Sequence, residues 1–407
     1  MPILLGVLLG LQAPLVVSPD GPYRSIGAAI DAAQQGAIIT VNPGVYREPT
    51  IRIAKTLSLQ GVPGAIIDGE GQRELMVISA RDVTVRGLRF RNTGKSYSED
   101  RAGVRAVETS GCRIIDNHFD DTFFGIYLQG VEDCEVVGNR LVGEVGREGG
   151  TGNGIHAWTS NGLVVRDNQV RGHRDGIYLE FSRHMTVEGN LSEANRRYGL
   201  HFMYSDSSRY VGNTFNGNGT GVAVMYTAHV EMSNNAFLDN RGPAAYGLLL
   251  KDVRDAQLVG NHFRENTTAL VADGADRIRA ERNRFERNGR AIRLLASTAD
   301  GVFSDNRFDG NTFDVIVNSR RITADFRGNY WDRYRGWDLD RDGVGDVPHH
   351  PVRLFGMLVE RSEVTMLLDR SLVVRLVDAA ERAVPALTPR ELKDPSPRMR
   401  PRVGGAK

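Results

Sequence analysis

The chain has 407 residues, 41% hydrophobic and 25% charged, which is enough apolar material for an extended core. A formal net charge of +1 removes the general electrostatic attraction for nucleic acid. The 46 glycines suit a turn-dense fold, and neither a Gly-rich phosphate loop nor alternating long helices argue for an α/β domain.

Residues 1–18, MPILLGVLLGLQAPLVVS, are too short for a comfortable membrane span but long enough for a secretory leader, which predicts export. No Lys or Arg stands near the start and Ala13 precedes Pro14, so an uncleaved anchor, a misassigned start or an apolar first strand are the other readings. Residues 19–56 read as a cap, with an amphipathic helix over 25–33 shielding the first coil, followed by a strand and a Pro-Gly turn.

From 57 to 331 a repeat takes over. Asn117, Asn139, Asn168, Asn190, Asn213, Asn235, Asn261, Asn283, Asn306 and Asn329 follow one another at steps of 22, 29, 22, 23, 22, 26, 22, 23 and 23. Such a period is the signature of a solenoid. Short alternating runs begin at Gly125, Gly154, Gly176, Gly199 and Gly221, as in GIYLQ and GLHFM, the pattern of strands with one buried face. Phe119, Phe215, Phe237, Phe263, Phe285 and Phe308 stand two residues after the ladder Asn, and Asn195, Asn218, Asn240, Asn266, Asn288 and Asn311 five after it. Coils about 4.8 Å apart turn such positions into stacks and hydrogen-bonded ladders. The expected architecture is all-β, a right-handed parallel β-helix with an N-terminal capping helix and a C-terminal helical extension.

Cys112 and Cys134 are 22 apart and occupy one position on successive coils. Two stacked core thiols are the plain expectation, with a disulfide as the alternative.

The second and fourth residues after each Gly should face outward: Tyr127 and Gln129, His156 and Trp158, Tyr178 and Glu180, His201 and Met203, Ala223 and Met225. With Phe181, Tyr204 and Tyr226 at the next turn, this face gathers rings, imidazoles and thioethers where a solvated sheet carries Thr, Lys and Glu. Met203, Met225, His201 and His156 are soft donors suited to Cu(I), and packing against a protein partner is the competing reading. Trp158, Tyr178, Tyr204 and Tyr226 are the expected contacts for such a partner.

Residues 332–354 change character. Asp338, Asp340, Asp342, Gly343 and Asp346 match the first, third, fifth, sixth and ninth positions of an EF-hand-like loop, but His349 stands where the bidentate Glu belongs. Calcium is one expectation, and a carboxylate-rich turn paired with Arg333, Arg335 and Arg341 is the other. Over 355–407 the period is lost. A helix is expected over 363–384, with Leu367, Leu368, Leu372, Val373 and Leu376 as a docking face, then an extended basic tail.

Taken together, the GLHFMYS and GVAVMYT strands, GNYWDRYRGWDLDRDGVGD, LDRSLVVRLVDAAERAVPALTP and DPSPRMRP resemble the NosD family of periplasmic maturation factors for nitrous-oxide reductase, over nearly the whole chain. The resemblance implies a non-enzymatic β-helix that helps supply copper to that reductase. It also implies work with an ABC transporter of membrane and ATPase subunits, and contact with a copper chaperone lipoprotein. The rival reading is a β-helix epimerase or lyase on acidic polysaccharide, with Asp175 and Glu180 as acids and His156 or His201 as base.

Overall fold

The computed structural model describes residues 15–96, 99–143, 151–295, 297–319, 322–368, 371–383, 388–389 and 391–401. The chain winds as a parallel β-helix whose coils contribute strands to three sheets of 14, 12 and 13 strands. Residues one coil apart meet in register: Phe202 opposes Val224, and Phe237 opposes Phe263.

Inside, one-per-coil positions form columns. Asn117 through Asn329 are buried at the same corner; Asn117 accepts from Leu88 N–H, and each later Asn accepts from the backbone N–H of the Asn one coil earlier. Asn213 is typical: Nδ2 donates to Val187 O at 2.8 Å and Asn235 Oδ1 at 3.0 Å, while Oδ1 accepts from Asn190 N at 3.0 Å. A second ladder runs from Asn195 to Asn311, and fully buried Phe237, Phe263, Phe285 and Phe308 stack at 4.5, 4.9 and 5.0 Å. These columns satisfy buried amides where each coil turns, which lets a chain so rich in turns have a dry core.

Cys112 and Cys134, expected as stacked thiols, are instead joined in a disulfide between adjacent coils. Their Cα atoms are 4.6 Å apart, a spacing that coil stacking supplies and that lies within disulfide range.

Helix α1, Ile26–Ala32, is capped by the Ser25 hydroxyl and buries Ile26, Ala29 and Ile30 over the first coil. Residues 1–14 of the expected leader lie outside the described residues. The segment Leu15–Val17, which the 1–18 boundary assigned to that leader, is the first strand, pairing with Ala37–Val41 and burying Val17.

The C-terminal end departs furthest from the expected single helix and extended tail. Helix α2, Leu354–Arg361, lays Phe355 and Val359 against Phe313 and Ile316 at the end of the 12-stranded sheet. A 3-10 turn, Glu363–Leu368, and helix α3, Leu372–Ala383, follow, and α3 seats Val374 on the same cluster. Helix α2 thus lies ahead of the span expected to be helical, 363–384, and ends at Ser362, whose backbone is extended; within that span the helix starts only at Leu372. Residues 391–401 then fold back as an end cap, with fully buried Asp394 serving as a final ladder rung. Its carboxylate accepts from Asn329 N at 2.9 Å, Asn329 Nδ2 at 3.0 Å and Trp331 Nε1 at 3.1 Å.

Candidate functional site

The site lies on the outer face of the 12-stranded sheet, on the strands Phe124–Gln129, Ile155–Trp158, Asp175–Glu180, Tyr198–Met203 and Thr220–Met225. Register sets two columns. One reads Tyr127, His156, Tyr178, His201, Ala223, and the other Gln129, Trp158, Glu180, Met203, Met225. Met203 and Met225 are therefore direct cross-coil partners, and His201 is two residues from Met203 on the same side of the strand.

The first column is less open than alternation alone predicts. Tyr127 and His201 are buried because the rings cover one another, and Ala223 is buried too. Tyr127 stacks on His156 at 4.6 Å, His156 on Tyr178 at 4.8 Å, and Tyr178 on His201 at 4.8 Å. This also separates the four expected copper donors. His201, Met203 and Met225 come together, whereas His156 stands two coils from His201 with the Tyr178 ring between them.

Among the described residues, neither ring nitrogen of His156 or His201 has a hydrogen-bond partner. Burial drives the His156 pKa down to about 3, so this imidazole is neutral and its lone pair is free. Behind His201 stands Asp175, fully buried and gripped through both carboxylate oxygens by Arg197, with the Nε contact at 2.8 Å. Burial pushes the Asp175 carboxyl up, but the Arg197 hydrogen bonds and charge outweigh it and hold the group below the usual carboxylate range. A carboxylate so committed is a poor general acid, which weakens the polysaccharide reading.

Beyond the Met column the chain turns at a residue with positive φ. Elsewhere this corner holds Glu108, Gly130, Thr159, Asp252 and Gly274, but on three successive coils it holds Phe181, Tyr204 and Tyr226, at φ of 50°, 52° and 53°. Bulky rings seldom adopt this conformation. They stack at 5.0 and 5.2 Å and are 50%, 42% and 42% exposed, beside Trp158 at 38%. Of the expected partner contacts, Trp158, Tyr204 and Tyr226 are thus exposed, and Tyr178 is half-buried in the ring column.

The Asp-rich turn is a separate feature. Asp338, Asp340 and Asp342 bring one oxygen each within 4.8 Å of one another, as exposed acidic turns often do without an ion. Their oxygens accept backbone amides, from Asp342 N at 3.1 and 3.3 Å and Gly343 N at 3.0 Å, while Asp346 turns away to accept from Leu339 N. The expected ion pairs also give way: Arg333 donates to the carbonyls of Asn311 and Thr312, and Arg335 to those of Asp332 and Tyr334. His349 lies against Trp331 at 4.9 Å. On the C-terminal segment, Leu367, Leu372 and Leu376 are 85%, 69% and 62% exposed, with Leu368 and Val373 beside them.

The fold defines the class of protein, a parallel β-helix, and comparison with known proteins supplies the family. Residues 143–336 match the family described as periplasmic copper-binding protein (NosD), and residues 61–170 match the right-handed β-helix region. The chain is 32% identical to the probable ABC transporter binding protein NosD of Pseudomonas aeruginosa, covering 98% of this chain and 95% of that one. It is 29% identical to the protein of the same name from Stutzerimonas stutzeri, covering 86% and 84%. The chain belongs to the NosD family. Among solved structures, the pneumococcal surface adhesin PfbA superposes with a TM-score of 0.58 at 12% identity over 78% of this chain and 90% of that one, a likeness of fold alone.

Proposed function

We propose that this protein is a periplasmic accessory factor that receives Cu(I) as cargo and passes it on during maturation of nitrous-oxide reductase. It catalyses no reaction of its own. The observation that carries the reading is the register pairing of Met203 with Met225 beside His201. Thioethers and an imidazole hold Cu(I) and, unlike thiolates, release it readily, as a transfer step requires. Partners divide between two surfaces. The exposed row of Trp158, Phe181, Tyr204 and Tyr226 borders the Met pair and suits the brief contact of a copper chaperone lipoprotein or the reductase. The apolar face of Leu367, Leu368, Leu372, Val373 and Leu376 suits a lasting contact with the membrane subunit of an ABC transporter, whose ATPase supplies the energy. The names of the two NosD relatives support the transporter partner.

The test is an anaerobic Cu(I) titration of the full chain against a competing chelator, beside the Met203→Ala, Met225→Ala double variant. One site in the wild type, weakened at least about tenfold in the variant, is expected from loss of both soft donors. A wild type that cannot compete for Cu(I), or a variant that binds equally well, contradicts the assignment.

A further inference from the structure

Building on that copper reading, we infer that Asp175 is a positioning residue: it keeps the His201 proton on Nδ1 and so leaves Nε2 as the nitrogen presented to the ion. His201 Nδ1 faces Asp175 Oδ2 at 3.8 Å, a contact at ion-pair range and longer than a hydrogen bond. The carboxylate cannot swing away, because Arg197 holds both of its oxygens and Arg197 in turn lies over the Tyr198 ring at 4.9 Å. His201 cannot easily tilt either, since Tyr178 and Tyr198 flank it at 4.8 and 4.7 Å.

Strand register gives the direction. Asp175 is the cross-coil partner of Tyr198, three residues before His201, whereas Met203 is two residues after it with Met225 alongside. The carboxylate and the thioether pair therefore approach the imidazole from opposite sides. An anionic acceptor beside Nδ1 draws the ring proton there, and Nε2, which has no hydrogen-bond partner among the described residues, keeps its lone pair. A metal at Nε2 makes Nδ1–H more acidic and strengthens its attraction to the carboxylate, the arrangement by which carboxylates orient metal-binding histidines generally. Nothing in the amino-acid spacing announces this role, because Asp175 and His201 lie on different coils.

The experiment uses the full chain with 15N-labelled histidine. Long-range proton–nitrogen NMR of the metal-free protein reads the His201 tautomer, and Cu(I) competition reads the affinity, in the wild type, Asp175→Asn and the Met203→Ala, Met225→Ala double variant. We expect Nδ1–H in the wild type and in the double variant. In Asp175→Asn we expect loss of that preference with an affinity lower by roughly 10- to 100-fold, the usual effect of removing a ligand's orienting partner. A wild-type ring protonated on Nε2, or Asp175→Asn binding Cu(I) as tightly as wild type, overturns the inference. If Asp175→Asn fails to fold because Arg197 is left unpaired, the wild-type tautomer decides alone. Cu(I) binding with an Nε2–H ring sinks this inference and spares the copper reading. A wild type that binds no Cu(I) sinks the copper reading and the ligand role of His201 with it, even if the ring is Nδ1–H.

Discussion

Two columns of the same solenoid have opposite chemistry. At the buried corner, each Asn from 117 to 329 uses its amide against both neighbouring coils, and the last rung is closed by Asp394. On the outer face, the rings of Tyr127, His156, Tyr178 and His201 follow one another coil by coil, yet among the described residues the nitrogens of both imidazoles have no hydrogen-bond partner. Periodicity builds both columns, and hydrogen-bond satisfaction separates the one that holds the fold together from the one proposed to bind copper. The turn corners repeat the contrast, with small or polar residues on most coils and Phe181, Tyr204 and Tyr226 on the three beside the Met pair.

If the Asn column is structural, breaking one rung should cost most. Asn213→Leu strands Val187 O and the backbone N–H of Asn190 and takes one acceptor from Asn190 Nδ2, and urea unfolding should show a loss of about 4 kcal/mol. A loss below about 1 kcal/mol would mean that the ladder is ornament. Asp394→Ala frees the amides of Asn329 and the Trp331 indole N–H at the solenoid's end. A cost of about 3 kcal/mol is expected, with faster hydrogen exchange confined to the last coils.

Acid should sharpen the contrast next. Burial lowers His156 to about 3 and His173 and His349 to about 4, so these neutral rings favour the folded state fully above their ordinary value of 6.5. That contribution is lost as the pH falls from 6.5 towards 4. Asp314 acts in the opposite sense: burial raises it to about 7, so its contribution is present below 3.8 and lost as the pH rises to 7. Three histidines outweigh one aspartate, and the protein should melt at a lower temperature at pH 5 than at pH 7, with each net proton worth about 1.4 kcal/mol per pH unit. His173→Asn, which adds a rung above Asn195, should flatten that slope, and an unchanged slope would remove His173 from the account.

The smallest stability effect belongs to the exposed corner. Tyr204→Asn replaces a strained ring with a residue that tolerates positive φ, and stability should change by no more than about 1 kcal/mol. If that variant also transfers Cu(I) to a partner at the wild-type rate, the exposed row has no part in docking.

Much of the solenoid was legible because its signals are local and repeated: the Asn and Phe intervals, the alternating runs and the His201, Met203, Met225 cluster all follow from one register. Features made by distant chain were not. Asp394 reaches Asn329 across 65 residues, Arg197 reaches Asp175 from the next coil, and ring stacking buried Tyr127 and His201 on a face that alternation assigned to solvent. Apolar alternation also could not distinguish a leader from a first strand at Leu15–Val17, nor a 3-10 turn from the first turns of the helix expected over 363–384.

The most direct test of the central claim is X-ray absorption at the copper edge on the full chain loaded anaerobically with one equivalent of Cu(I). Two sulfur scatterers and one nitrogen are expected, with the sulfur lost in the Met203→Ala, Met225→Ala variant. A shell of nitrogen and oxygen alone, or a sulfur signal that survives the double substitution, would contradict it.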